Sequence, residues 1–176
     1  MKESDLLISR HDGVYSVKVT GRANFEYAVP LRELAKSSNE FRCFRIDLGD
    51  CVAMDSTFMG VLSMIGLKSR RCNATVELLN ANDTLKKLLR DLGVSKLFTF
   101  TEGSDPDAPQ WSASDGNVAR NDMLTTAETV TEAHQTLVEA DSSNAARFDQ
   151  VIEFANAMLQ RTKGGLIASV GLLVLF

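Results

Sequence analysis

The residues best suited to chemistry lie in one short segment, residues 46–62. It reads IDLGDCVAMDSTFMGVL and places Asp55, Ser56 and Thr57 directly before an apolar run with helical spacing. The first backbone N–H groups of a helix lack partners within the helix, and Asp and Ser are the side chains that most often cap them. The positive field at that end of a helix also holds phosphate groups. The segment therefore predicts either a simple helix cap or a serine that tolerates a phosphoryl group.

A phosphoryl group on Ser56 would change the binding properties of the surface around it. It adds a charge of about −1.5 to −2, and the neighbouring Asp55 adds repulsion. A partner that docked there would have to desolvate the dianion, which is costly. We therefore expect a switch that acts through an interface, with Thr57 as the second candidate acceptor. The alternative is that Asp55 or Ser56 only caps the helix.

The acidic residues near Ser56 give a weaker functional pattern. Asp47, Asp50 and Asp55 lie within nine positions, and carboxylates so close in sequence can form an acid–base set or an Mg²⁺ site. No His, Lys or Gly-rich phosphate loop accompanies them in the sequence. We therefore expect solvated loop carboxylates and no catalytic residues.

The histidines and cysteines predict no metal or cofactor site. His11 and His134 have no partner ligand at metal spacing, so we expect both at the surface. The three cysteines have no CxxC spacing and are predicted to be unreactive thiols: Cys43, Cys51 and Cys72.

The flanking sequence predicts strands and helices that position the segment. Residues 5–20 hold two apolar runs around Asp12-Gly13, the dipeptide that favours a two-residue hairpin turn. The strand before Ser56 is expected to end near Leu48, with a short loop to the helix. After the hairpin we expect a helix at 30–38 beginning at Pro30, a strand at 41–48, a helix at 57–71, a strand at 75–79, a helix at 84–92 and a strand at 96–101. This order predicts an α/β domain over residues 1–102.

The rest of the chain differs in composition. Residues 103–120 hold two of the three prolines and the single Trp111, and they are predicted to form a linker. Residues 121–163 are predicted to form an amphipathic helical extension, either bent or broken at the cap residues 141–144. Residues 164–176 form an uncharged apolar tail that is shorter than the roughly 20 residues of a membrane span. The tail either packs in a groove, makes a shallow membrane contact, which we favour less, or is foreign to the natural protein.

Composition and charge exclude several classes of protein. The chain has 176 residues, of which 44% are hydrophobic and 24% charged, which indicates a packed core. Its net charge of −4 divides into +2 over residues 1–102 and −6 over residues 103–176, and no basic run marks a nucleic-acid site. No secretory signal is visible at the amino terminus, so we expect a cytoplasmic protein.

Residues 5–102 resemble the sulfate-transporter and anti-sigma-factor-antagonist (STAS) domain. The most specific match is IDLGDCVAMDSTFMGVLSMI, where the family typically shows D-L-x-x-V-x-x-x-D-S-[ST]-G-L-G-V-L. Gly21 and the Leu92-Gly93 pair are also similar to family positions. The residues on pattern positions are Asp47, Leu48, Asp55, Ser56, Thr57, Gly60, Val61 and Leu62.

One departure from the family pattern falls inside the motif. Phe58 and Met59 stand where the family has Gly and Leu. The Phe58 ring either packs inward or enlarges an apolar surface for a partner. The partner of this chain therefore need not be the usual kinase.

The resemblance implies a STAS-like mixed β-sheet with helices and a non-enzymatic, cytoplasmic regulator without cofactors. It implies that an anti-sigma factor, itself a serine kinase, phosphorylates Ser56 and that a serine phosphatase restores binding. The unphosphorylated form would capture the kinase and free a sigma factor, without contacting nucleic acid directly. The residues expected to bind the partner are Asp55, Ser56, Thr57, Phe58 and Met59.

A second hypothesis is a STAS adaptor in a membrane-linked or lipid-transport assembly. The helical extension and the apolar tail favour it, and the C-terminal helices would then be candidates for homo-oligomer contacts. Under this hypothesis Ser56 only caps its helix.

Overall fold

The chain opens with the hairpin that Asp12-Gly13 predicts. We analysed a computed structural model that describes residues 3–107 and 122–173, with the side chains of residues 3–107 and 122–164. Strands β1 (Asp5–His11) and β2 (Val14–Ala23) pair antiparallel. Asp12 and Gly13 have φ angles of 47° and 77°, in the left-handed region that Gly adopts freely and that Asp tolerates. The predicted hairpin is confirmed.

Three further strands extend the sheet in parallel. The order is β1-β2-β3-β4-β5, with β3 (Cys43–Met54), β4 (Thr75–Leu79) and β5 (Thr99–Thr101). Parallel neighbours require crossover connections, which the helices α1 (Phe25–Ser37), α2 (Ser56–Arg71) and α3 (Asp83–Asp91) supply. The predicted α/β fold class, a mixed sheet with helices, is confirmed.

The core holds β3 and α2 firmly against each other. Phe44, Ile46 and Leu48 of β3 are at most 1% exposed, and Phe58 and Leu62 of α2 are fully buried. Burying each such side chain contributes about 1.5 to 3 kcal/mol relative to leaving it in water. The junction between β3 and α2, where Asp55 and Ser56 lie, is therefore fixed by packing on both sides.

Three predicted boundaries were wrong. β3 continues to Met54 because β2 pairs with it as far as the Ala23–Met54 pair, so no loop follows Leu48. α1 begins at Phe25, since the Asn24 side chain caps it, and Pro30 lies inside the helix. The stretch 96–101 divides into a 3-10 turn, Ser95–Leu97, and the short strand β5.

The extension consists of two helices with a break between them. Helix α4 (Met123–Ala140) is followed by a 3-10 turn, Ser142–Asn144, and by α5 (Ala145–Leu173). The break predicted at residues 141–144 is confirmed, since the Asp141 side chain accepts a hydrogen bond from Ser143 N. α4 packs on α2, on α1 and on α5. The extension thus adds a helix directly to the layer that carries Ser56.

The predicted linker and tail are described only in part. Arg45, in β3, pairs with Asp105 and Asp107 at the start of the predicted linker. Trp111 and residues 108–120 lie outside the described residues, as do residues 174–176 of the tail. In the part of the chain that the structure describes, no helix is both long and apolar enough to cross a membrane.

Candidate functional site

One carboxylate caps two helices at the junction of β3 and α2. Asp55 Oδ1 accepts a hydrogen bond from Phe58 N at 2.8 Å, and Asp55 Oδ2 accepts one from Phe25 N, also at 2.8 Å. The first bond satisfies an unpaired N–H group of α2 and the second one of α1. Burial raises the pKa of the Asp55 carboxyl above its usual value, although these N–H groups oppose the shift. Asp55 is thus the cap, and Ser56 is the first helical residue.

The Ser56 hydroxyl meets a histidine from the extension. Ser56 is half-buried, and its Oγ lies 2.9 Å from Nε2 of His134 on α4. His134 Nδ1 lies 2.7 Å from the carbonyl oxygen of Val130, which can only accept, so Nδ1 carries the proton. Nε2 is therefore the acceptor and the Ser56 hydroxyl donates. Burial lowers the pKa of His134, which favours this neutral form.

The position of His134 corrects the sequence analysis. We expected a surface residue, but His134 is only 2% exposed. It lies on the same face of α4 as the buried Ala127 and Leu137, and its ring packs 4.8 Å from that of Phe148. The helical spacing of these residues was the available signal, because a histidine within an apolar stripe shares its burial. His11, by contrast, is exposed at the end of β1, as expected.

The three residues after Ser56 are turned inward. Thr57 is 6% exposed, Met59 is 5% exposed, and Phe58 is fully buried in the main hydrophobic core. We expected the Phe58 ring either to pack inward or to enlarge an apolar surface, and in the structure it packs inward. A bulky residue thus replaces the family glycine without adding an apolar surface. The role of these three residues in partner binding stays a prediction.

Gly60 brings α4 unusually close to α2. A Cβ atom built on Gly60 would lie 2.4 Å from the carbonyl oxygen of Ala133 and 2.7 Å from its Cβ. Real Cβ atoms do not approach backbone that closely, so only glycine allows this contact. The close approach places Ala133 over the first turns of α2 and its neighbour His134 over Ser56.

An ion pair attaches the same part of α4 to α1. Arg32 is 2% exposed and donates to both carboxylate oxygens of Glu132, at 2.9 and 2.7 Å. This bidentate bond lowers the pKa of Glu132 and keeps it ionised. No local pattern indicates this contact, since the partners lie 100 positions apart.

The three carboxylates near Ser56 have separate structural roles. Asp47 Oδ1 accepts hydrogen bonds from Gly49 N and Asn80 Nδ2, Asp50 pairs with Lys18, and Asp55 caps the helices. Among the described residues, no group of three His, Cys, Asp or Glu side chains is placed to hold a metal ion.

The Ser56–His134 pair also resembles the nucleophile and base of a hydrolase, but its surroundings do not fit that chemistry. An oxyanion needs free N–H donors beside the serine, and the Asp55 carboxylate already accepts from Phe58 N and adds negative charge there. A cavity of about 290 Å³ opens beside Asp55, but Ser56 does not line it. The geometry therefore favours a hydroxyl that binds or is modified over one that attacks an acyl group.

Comparisons with solved structures place this site in a known fold. The anti-sigma factor antagonist SpoIIAA in its unphosphorylated form has a TM-score of 0.51 at 12% sequence identity, covering 57% of this chain and 89% of that one. The Bacillus cell fate determinant SpoIIAA in the phosphorylated form has a TM-score of 0.50, also at 12% identity, covering 57% and 92%. This chain therefore has the SpoIIAA-like fold. No protein-family model matches the sequence, and the search of curated proteins found no match either.

Proposed function

We propose that this protein is a non-enzymatic binding module of the anti-sigma factor antagonist type, switched by phosphorylation of Ser56. One observation carries the proposal: Ser56 is the first residue of α2 and only half-buried, directly after β3 in a STAS-like fold. SpoIIAA, which shares the fold, exists in an unphosphorylated and a phosphorylated form. Among the motif hydroxyls, Ser56 is favoured over Thr57, because Thr57 is only 6% exposed.

The switch follows from charge at a binding surface. A phosphoryl group on Ser56 would lie beside the Asp55 carboxylate, so a partner would face a phosphate and a carboxylate together. Desolvating both is costly, and the phosphorylated form would bind more weakly. The partners that this function requires are a serine kinase of the anti-sigma factor class and a serine phosphatase, acting in the cytoplasm.

A comparison of partner capture by two variants of the chain tests this function. Ser56→Ala removes the acceptor hydroxyl, whereas Ser56→Asp adds a negative charge, and both lose the hydroxyl that donates to His134. Each variant is immobilised and incubated with native extract, and the kinase activity that it captures is measured as transfer of phosphate from ATP to added wild-type chain. We expect Ser56→Asp to capture at least about tenfold less of this activity than Ser56→Ala. Equal retention by the two variants would remove the charge switch. Ser37→Asp on the wild-type background is the control for added charge, because Ser37 is exposed on α1.

A constitutive adaptor is the second candidate, and α5 favours it. Phe154 is 68% exposed and Val151 is 37% exposed on this helix, an apolar face open to another molecule. An adaptor predicts that Phe154→Ser lowers the assembly mass in light scattering while Ser56→Ala leaves it unchanged. The switched module predicts that neither variant changes the mass of the isolated chain.

A further inference from the structure

The side chains that hold α4 on the rest of the domain are typical of an interface that can open. The α4 side chains that it buries are small or polar apart from Leu137: Ala127, Thr129, Thr131, Ala133 and His134. The facing helix α2 buries Phe58, Leu62 and Ile65 in the core. Apolar burial is the main source of packing free energy, so α4 is held less firmly than the elements beneath it.

Two further features weaken the hold of α4. The hydroxyl of Thr131 is buried with no hydrogen-bond partner among the described residues. An unpaired buried hydroxyl loses its hydration without compensation. Glu132 and His134, which alternate with Thr131 and Ala133 along α4, make polar contacts that water can replace when α4 leaves. Interfaces that open within a folded protein have this polar character.

α4 also covers the surface that the proposed function needs. His134 contacts the Ser56 hydroxyl, and Ala133 lies against Gly60 one turn further along α2. A partner that reached Ser56 would have to occupy this same space. We infer that α4 is an intramolecular competitor for the partner surface around Ser56, and that a phosphoryl group on Ser56 excludes α4 from that surface. This inference rests on the proposed function.

The exclusion by phosphate is steric and electrostatic. The Ser56 Oγ is 2.9 Å from His134 Nε2, so a phosphorus atom bonded to Oγ enters the space of the imidazole. The neutral ring presents a lone pair at Nε2, which repels phosphate oxygens. α4 cannot make room by moving closer to α2, because the space between Gly60 and Ala133 does not admit a single carbon atom. The least costly response is that α4 detaches.

The events at the Ser56 surface follow in a fixed order. In the unphosphorylated chain, α4 docks and lowers the apparent affinity for a partner by the cost of its displacement. A partner that displaces α4 exposes Ser56 to phosphorylation. The phosphate then keeps both occupants away until it is removed. The surface thus has one site with two mutually exclusive occupants.

Hydrogen exchange on the phosphorylated chain tests this inference without a kinase or a partner. Phosphoserine is installed at position 56 during translation of the full chain, and amide exchange is followed by mass spectrometry. We expect the amides of α4 to exchange at least about tenfold faster than in the unmodified chain, since a buried hydrogen bond is lost and repulsion is added. Amides of β3 and β4 should be unchanged, which shows that the domain remains folded. Phosphoserine at the exposed Ser37 is the matched control and should leave α4 unchanged.

Two results would contradict the inference. One is α4 exchange that is unchanged or slower on phosphorylation, as a bond between phosphate and protonated His134 would produce. The other is α4 exchange in the unmodified chain that is as slow as that of β3, because α4 then opens only when the domain unfolds. Neither result bears on whether Ser56 is phosphorylated in native cells, which is tested separately.

A second variant tests the same contact in the opposite direction. Thr131→Val replaces the unpaired hydroxyl with a methyl group of similar shape, so it should strengthen α4 docking. We expect α4 amides of Thr131→Val to exchange about threefold to tenfold more slowly than in wild type. Faster or equal exchange would show that the Thr131 hydroxyl does not weaken the hold of α4.

Discussion

At the scale of single residues, Asp55 has the largest structural role in the motif. Its carboxylate caps α1 through Phe25 N and α2 through Phe58 N. We expect Asp55→Ala to lower the free energy of unfolding by about 2 to 3 kcal/mol, because it removes two caps of about 1 kcal/mol each and leaves the part-buried Phe58 N–H group unpaired. Urea denaturation measures this change.

Asp122 supplies a matched control for the Asp55 prediction. It caps α4 alone, through Thr125 N, and it is exposed. Asp122→Ala should therefore cost only about 1 kcal/mol. If Asp55→Ala costs no more than Asp122→Ala, the double cap is not a significant source of stability.

His134 makes stability depend on pH. Burial lowers its pKa in the folded chain, so the unfolded chain binds a proton more readily below an unfolded pKa of about 6.5. The contribution of neutral His134 is fully present above that pH and is lost as the pH falls from about 6.5 towards the lowered folded value, at up to about 1.4 kcal/mol per pH unit. Asp55, which faces His134, has a raised pKa in the folded chain. Its contribution to stability therefore falls as the pH rises above the ordinary carboxyl pKa of about 3.8, opposite to the contribution of His134.

His134→Gln isolates this contribution, since glutamine keeps polar atoms but does not titrate. We expect the difference in unfolding free energy between wild type and His134→Gln to shrink or reverse as the pH falls from 7 to 5. A difference that is constant over this range would show that His134 is not held neutral by burial.

At the scale of elements, Gly60 sets the distance between α2 and α4. Alanine is the better helix former by about 1 kcal/mol, yet a Cβ at this position would strike the Ala133 carbonyl at 2.4 Å. We expect Gly60→Ala to destabilise the chain by about 1 to 3 kcal/mol, because overpacking outweighs propensity. Thermal unfolding of Gly164→Ala, where no atom lies within 4 Å of the added Cβ, should instead show no loss of stability.

The ion pair between α1 and α4 should be sensitive to the loss of one charge. Glu132→Gln leaves Arg32, only 2% exposed, without its bidentate partner, and we expect a loss of about 3 kcal/mol. Glu33→Gln removes a second contact of Arg32, but from an exposed carboxylate, and should cost less than about 1 kcal/mol. Similar effects of the two variants, measured by urea denaturation, would contradict the burial argument.

The elements around the motif were largely predictable because their signals are local. Asp12-Gly13 specified the hairpin turn. Asn82 caps the start of α3, and Gly93, in the left-handed conformation, follows its end. The start of α1 was missed because Pro30 is a common first helical residue, although the cap Asn24 is a local signal directly before Phe25. The second cap of α1, from Asp55, lies 30 positions away. Local patterns could not show such a contact.

At the scale of the whole molecule, the sequence predicted where chemistry is concentrated but not what covers it. Ser56 follows from strand, cap and apolar run, all within one segment. The contact with His134 joins residues 78 positions apart across the predicted linker, and the polarity of histidine favoured a surface position. The docking of α4 on α2 is a tertiary arrangement that depends on Gly60 and Arg32 together.

The most direct test of the central claim is the phosphorylation state of Ser56 in native cells. The protein should be isolated under several growth conditions with phosphatases inhibited, and its peptides fragmented to distinguish Ser56 from Thr57. The account predicts phosphate on Ser56 in at least one condition, varying between conditions, with Thr57 unmodified. Complete coverage of this peptide with no phosphate on Ser56 in any condition would contradict the switch and leave Ser56 as a structural donor to His134.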